Sequence, residues 1–361
     1  MTPEPNQAPD RPLPFITPEL PGIGGVIKLR PEHFRVEELP LYLPAGQGEH
    51  LYLVLEREGW NTRDLAKRLA AVFAVAEDAV GHAGLKDKQA WVRQTFSVQV
   101  QGLEPEAARA RAAAALGRLD PPVSVVSAAR HGNKLKAGHL LGNRFQVVVS
   151  QLGDQAEARA QAVAHALQHR GLANYFGPQR FGRQGDNPAQ GRAILAGRGP
   201  REKWLRKLLL SAWQSEVFNQ WLARRVEDGD FARLLPGDLA KKTDTGDLFI
   251  VEDLEAETPR MERREITYTG PLMGAKLRWA EAEAGRRERA ALEAAGVDEV
   301  QLKKAGLHGG RRPARIWPQG LSIAPHPEGL VFAFLLPKGA YATTLLREFC
   351  KLEPATPESQ A

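Results

Sequence analysis

A chain of 361 residues has room for two domains, and its 43% hydrophobic and 25% charged residues are ordinary for a globular protein. Forty-nine Lys and Arg against 43 Asp and Glu leave a net charge of +6, a mild excess that suits a polyanionic partner without identifying one. No stretch approaches the roughly 18 apolar residues of a membrane span, the opening MTPEPNQAPDRPLP lacks the basic and apolar regions of a secretion signal, and the single cysteine, Cys350, closes no intrachain disulfide, so a cytoplasmic location is expected.

Seven prolines in the first 21 residues predict a loose tail over 1–21, and EPATPESQA predicts another over 353–361. Between them, VIKLRPEHFRVEEL carries Val26, Phe34 and Val36 at strand-like positions, and HLYLVLER (50–57) alternates through Leu51, Leu53 and Leu55, together a hairpin-like or sheet-forming start. Asn61 is a plausible N-cap for a helix whose Leu65, Leu69, Val72 and Phe73 recur at helical spacing. TFSVQV predicts a strand, PEAARARAAAALGRL a helix with Pro105 in its first turn, NRFQVVVS a strand, and 156–170 a helix stopped by Gly171. The character then changes: a long apolar helical pattern from Trp204 to Leu222 is followed by turn-rich pieces such as PGDLAKKTDTGD. Strand character returns at 330–336, followed by a helix from about Ala342 to Phe349. The expected class is α+β, with an insertion between two parts of one domain.

The segment HAGLKDKQAW (82–91) sets one carboxylate, Asp87, between Lys86 and Lys88 without helical or strand periodicity. On its own it reads as a solvated turn with a balanced charge. NYFGPQRFGRQGDN (174–187) interleaves Tyr175, Phe176 and Phe181 with Arg180 and Arg183 among glycines, which suits stacking on bases and binding of phosphates; the plainer reading is a glycine-rich connection with buried aromatics. HGNKLKAGHLLGNRF (131–145) brings Lys134 and Lys136 together with Asn143, whose amide can both donate to and accept from a base edge, although a turn asparagine is the simpler reading. Phe145 stands in phase with Val147 and Val149 and fits a core position equally well. His165 and His169 have the i, i+4 spacing of a two-histidine site, but no HExxH carboxylate or thiolate cluster accompanies them, so no metal is expected. Phosphate-loop, dinucleotide and serine-hydrolase motifs are absent, and no cofactor is expected.

Eight segments resemble, in order, the TruD family of tRNA pseudouridine synthases: KLRPEHFRVEE, GQGEHLYLVLEREGWNT, HAGLKDKQA, HGNKLKAGHLLGNRF, NYFGPQRFG, SAWQSEVFN, TGPLMG and LLPKGAYATTLLRE, spanning roughly 22–352. The resemblance implies a pseudouridine synthase catalytic domain with a mixed or antiparallel sheet in two parts (22–171 and 313–352), and an α+β TRUD domain (172–312) inserted to form a cleft. The implied reaction converts uridine 13 of a tRNA to pseudouridine, breaking the N1–C1′ bond and rejoining the base through C5. The essential aspartate falls at Asp87, acting as nucleophile on the sugar or as base at C2′; the residues leave both routes open. Lys28, in the pattern KxxPxxF, is the candidate cation that keeps it ionised. Phe34, Asn143 and Tyr341 are implied to line the pocket for the extruded base, with Phe145 beneath it. Tyr341 stands where some members carry Phe, and both rings stack.

Lys86 and Lys88 are expected to face phosphate or solvent, because the residues adjacent to Asp87 in an extended segment point away from it. Arg347 and Glu348 are read as a structural pair in preference to a contact with substrate. Arg180 and Phe181 join the substrate-binding candidates, tRNA is the expected partner, and a monomer without membrane attachment is the default. The competing reading is a non-catalytic RNA-binding protein or tRNA chaperone using the same basic cleft. A glycoside hydrolase using Glu37, Glu38 and Asp87 stands further behind.

Overall fold

The structure, a computed structural model, describes residues 12–352. The chain runs through β1 (Gly24–Ile27), β2 (Phe34–Pro40), β3 (His50–Arg57), α1 (Thr62–Phe73), β4 (Val80–His82), β5 (Trp91–Gln99), α2 (Pro105–Leu116), β6 (Ser124–His131), β7 (Leu140–Leu152) and α3 (Ala156–Arg170). It continues through β8 (Leu172–Ala173), α4 (Asn187–Leu195), α5 (Lys203–Glu227), β9 (Leu239–Lys242), β10 (Leu248–Ile250), α6 (Leu254–Glu262), β11 (Ile266–Leu272), α7 (Ala282–Ala294), α8 (Glu299–Lys304), β12 (Gly310–Pro313) and β13 (Arg315–Ile316). Strands β14 (Gln319–His326) and β15 (Gly329–Pro337) and helix α9 (Ala342–Cys350) close it. The class is α+β.

Two compact units divide these elements. One holds Pro21–Ala164, Pro318–Ala342 and the end of α9; the other holds His165–Trp317, Thr343–Glu348 and residues 12–20.

The first unit is built on a mixed sheet in the order β14-β15-β7-β2-β5-β3-β6, with β1 added to β7 and β4 to β5. Neighbours are antiparallel except β2 and β5, which run parallel through Arg35↔Trp91 and Glu37↔Arg93. The hairpin-like option for the start of the chain is not realised. β5 lies between β2 and β3 and hydrogen-bonds to both, while β1 leaves to pair with β7. Leu51, Leu53 and Leu55 of β3 and Phe96 and Val98 of β5 turn one face onto Leu65, Leu69 and Phe73 of α1 and Leu116 of α2. Each such side chain contributes about 1.5–3 kcal/mol when buried. Helix α1 begins where Asn61 accepts the Asp64 N–H at 2.9 Å and ends at Ala74 in a left-handed conformation, φ 54°.

In the second unit, α5 buries Leu209, Trp213, Val217 and Trp221, a stripe repeating every fourth residue. Strands β10-β9-β11-β12 form its sheet, and β13 pairs with β8. Residues 12–20 belong here and do not form the expected loose tail; Ile16 and Thr17 are buried, and Glu348 of α9 accepts their backbone N–H groups at 2.9 and 3.3 Å. Arg347 lies over the Phe15 ring at 3.9 Å and donates to the Leu13 carbonyl. Proline limits regular structure in this stretch, but a buried carboxylate still requires donors, and the stretch supplies them. The remaining tail positions, 1–11 and 353–361, lie outside the described residues. Among the described residues no helix is long and apolar enough to cross a membrane.

Candidate active site

Asp87 lies in the irregular loop between β4 and β5, and Lys28 follows the last residue of β1. The chain turns sharply at Lys28, whose φ of 60° is left-handed, a conformation that costs a residue with a Cβ about 1 kcal/mol. That turn ends β1 and directs the side chain inward: it is only 7% exposed, its ammonium forms an ion pair with Asp87, and it sits 4.5 Å from the centre of the Phe34 ring. Asp87 remains 38% exposed, so its carboxylate is held from one side and open on the other. Partial burial pushes the carboxyl upward, but the Lys28 charge and hydrogen bond, with backbone donors from Gln89 and Lys88, hold it below the ordinary aspartate value. It is an ionised carboxylate in a partly dry site.

Beneath the loop is a set of residues the sequence reading did not select. Arg57, the last residue of β3, is buried and donates to the Asp87 backbone carbonyl at 3.2 Å and to the Trp60 carbonyl. Its other nitrogen reaches Thr62 Oγ1 and Gln94 Oε1 at 3.3 and 3.4 Å. Thr62 Oγ1 accepts the Lys86 N–H at 2.9 Å, and Gln94 Nε2 donates to the Gly84 carbonyl at 2.7 Å. Burial lowers the Arg57 pKa to about 10 against the opposing charges of Asp87 and Glu38. A signal was present: Arg57 continues the buried alternation of Leu51, Leu53 and Leu55 and places a cation where a core residue is due.

The sheet supplies the wall. Phe34, Val36 and Glu38 of β2 face the same way as Asn143, Phe145 and Val147 of β7, and Phe34↔Val147, Val36↔Phe145 and Glu38↔Asn143 are cross-strand partners. Phe145 stacks on Phe334 of β15 at 5.3 Å and meets Phe34 edge-on at 6.1 Å. Its core and pocket readings are therefore compatible, since the core face is continuous with this wall.

Lys86 departs from expectation. It faces neither phosphate nor solvent: its side chain is 7% exposed, 2.9 Å from Glu38, and donates to Asn143 Oδ1 at 2.6 Å. Alternation holds for a paired strand, and residues 83–90 are not one. Lys88 is exposed. Asn143 is a strand residue, not a turn residue. Tyr341 is half-buried at the start of α9, beyond the end of β15 where Leu336 and Pro337 pair with Asn143 and Gly142.

Arg180 and Phe181 belong to the other unit, with Arg180 in a short turn of helix over 178–180. The Arg180 guanidinium donates to Ser215 Oγ at 3.1 Å and lies 5.7 Å from the Phe176 ring; Phe181 is half-buried. Tyr175 and Phe176 are buried, and Asn219 of α5 holds Phe176 by two backbone hydrogen bonds of 2.8 and 3.0 Å. For these two rings the structural reading applies. Among the described residues no cluster of three or more His, Cys, Asp or Glu could hold a metal ion.

A sequence profile of the family described as tRNA pseudouridine synthase D (TruD) matches residues 14–201 and 200–349 of this chain. The tRNA pseudouridine synthase D of Anaeromyxobacter dehalogenans is 47% identical over 355 residues, covering 96% of this chain and 98% of that protein. Its counterpart in Thermus thermophilus is 44% identical over 342 residues, covering 94% and 92%. The crystal structure of a protein assigned as tRNA pseudouridine synthase D from Methanosarcina mazei superposes with a TM-score of 0.72 at 22% identity, covering 94% of this chain and 96% of that one, a likeness of fold.

Proposed function

This chain belongs to the tRNA pseudouridine synthase D (TruD) family, and from that membership we propose that it isomerises uridine 13 of tRNA to pseudouridine with Asp87 as the catalytic carboxylate. The observation that carries the residue assignment is the Lys28–Asp87 pair. It keeps one partly exposed carboxylate ionised at the mouth of an aromatic wall.

The unit containing Pro21–Ala164 does the chemistry in this reading, and the unit containing His165–Trp317 contributes Arg180 and Phe181 to RNA binding. The target uridine leaves its stack, and Phe34, Phe145 and Tyr341 receive the flat base in its place. Asn143 bonds to its polar edge. Asp87 acts on the ribose either by attacking C1′ or by taking the C2′ proton. The N1–C1′ bond breaks, the base turns, C5 bonds to C1′, and the C5 proton is released while N1 gains one. No electron donor or group donor enters this balance. The Lys28 ammonium opposes protonation of Asp87 as the site loses water.

Asp87→Asn keeps the shape and removes the charge. Tritium release from tRNA carrying [5-³H]uridine should fall at least about a thousandfold, the scale on which positioned acid–base and nucleophilic groups act, while tRNA binding measured by filter retention persists. Release at the wild-type rate from the variant would exclude Asp87 as the catalytic group.

A further inference from the structure

Asn143 stands at the centre of three strands, its backbone paired to Glu38 of β2 on one side and Leu336 of β15 on the other. The backbone is fixed, and the remaining freedom is the direction of the amide. A carboxamide presents an acceptor on one edge and two donors on the other, so a half-turn reverses what a base would meet. Lys86 removes that choice. Its ammonium carries donors and no acceptor, hence the Asn143 atom 2.6 Å away must be the oxygen. The nitrogen, with both N–H groups, is turned the other way.

The placement of Lys86 is itself secured. Its backbone N–H is held by Thr62 Oγ1 at 2.9 Å, and its ammonium sits 2.9 Å from the carboxylate of Glu38, whose side chain is 2% exposed. Glu38 Oε2 has no hydrogen-bond partner, so Lys86 serves it by charge while directing a proton to Asn143. Burying this pair costs desolvation that the mutual attraction of the two charges need not repay, so the pair is weak evidence for stability.

We propose that Glu38 and Lys86 are positioning residues that lock the Asn143 amide as a donor-only edge, and that this edge selects uracil over cytosine by donating to the 4-oxo group. The inference rests on the proposed function and deepens it. Uracil offers acceptors at its O2 and O4 atoms and a donor at N3, so a donor-only amide can meet it only at a carbonyl. Cytosine carries a 4-amino group, and there a locked amide brings donor against donor. An amide free to turn would offer its oxygen to that amino group and accept either base.

The test uses full-length protein, tRNA with uridine at the modified position as substrate, and the same tRNA with cytidine there as competitive inhibitor. The quantity read is the inhibition constant of the cytidine tRNA divided by the KM of the uridine tRNA. In the double variant Glu38→Met/Lys86→Met, which leaves no orphan charge, the ratio should fall by about tenfold, the smaller end of what a good base contact discriminates. Asn143→Ala should lower it to the same level, and the triple variant no further. Asn143→Asp, which can still pair with Lys86 but offers no donors, gives a second reading that does not depend on removing the ion pair: its ratio should fall below that of Asn143→Ala. An unchanged ratio in the double variant with reduced turnover would make the pair merely structural and overturn the inference. Should the double variant not fold, an unchanged ratio in Asn143→Asp overturns it equally. Absence of tritium release from the uridine tRNA with wild-type protein would defeat the proposed function and this inference together, whereas normal wild-type release with invariant ratios defeats the inference alone.

Discussion

Lys28 meets a carboxylate and an aromatic face at once, and its left-handed backbone shows that the chain accepts strain to place it. Opposed effects act on Asp87: burial, the largest single one, raises its pKa, and the Lys28 charge and hydrogen bond together with the Gln89 and Lys88 backbone donors lower it by more. Because the folded value lies below the ordinary aspartate value of about 3.9, the pair contributes stability above that pH and loses it as pH falls through the folded value. Removing the cation reverses the balance. Lys28→Met should lower tritium release at neutral pH about a hundredfold, the scale of one lost electrostatic contact in an active site. The remaining activity should decline as pH drops, along an acid limb that the wild-type profile reaches only at lower pH. A pH series of kcat/KM for both proteins checks this; coincident acid limbs would show that Lys28 does not set the ionisation. That Asp87 would need a cation could be argued from charge and burial, and the resemblance pointed to Lys28. Arg57, Thr62 and Gln94 escaped notice because each is ordinary in its own element and significant only where β3, α1 and β5 meet beneath the loop.

Asn143 depends on how closely β7 and β15 approach. Gly142 is opposite Pro337, and a Cβ there would lie 2.3 Å from the Leu336 carbonyl oxygen, closer than atoms can stand. Gly142→Ala must force the strands apart next to the site. It should cost about 1–3 kcal/mol of stability, as overpacking does, and reduce kcat/KM for tRNA. Gly132→Ala is the control, since a Cβ there meets nothing within 4 Å and φ is not positive; its stability should stay within about 0.5 kcal/mol of wild type. Urea melts of the three proteins, with tritium release on each, test the point; equal melts for Gly142→Ala and wild type would mean the strands tolerate the side chain. Elements with an unbroken period were legible: β3 as Leu51, Leu53 and Leu55, α1 with its Asn61 cap, and α3 to its Gly171 stop. Strand β6 was not, because it lies at the sheet edge with Val125 alone buried, leaving no alternation to read. The same reasoning explains Lys86, which lies in a loop where the alternation of a paired strand does not hold.

At the scale of the molecule, the change of character after residue 171 and the return of strands near residue 330 were visible because a second core requires its own apolar pattern. The structure changes unit inside α3 and again after β13, positions that depend on contacts between distant residues. Stability also carries a trace of burial that composition cannot show. His50 and His82 both have lowered pKa values, burial being the first cause in each, with Lys134 also adding to the shift. Their Nδ1 atoms have no hydrogen-bond partner. Unfolded histidine takes up a proton near pH 6.5, whereas these two remain neutral to lower pH in the folded state. The unfolded chain then holds more protons, so unfolding free energy must rise with pH across this window and fall as the solution is acidified. The contribution is present above about pH 6.5 and is lost as pH drops toward the folded values, with a slope of at most about 1.4 kcal/mol per pH unit for each group. Since both residues are in strands of the first unit, β3 and β4, hydrogen exchange of β3–β5 amides at pH 5.5 and 7.5 reads the effect where it arises. After correction for the intrinsic rate, protection should be greater at the higher pH, and His50→Gln/His82→Gln should flatten the difference. Equal pH dependence in the double variant would mean that the proton uptake belongs to other groups.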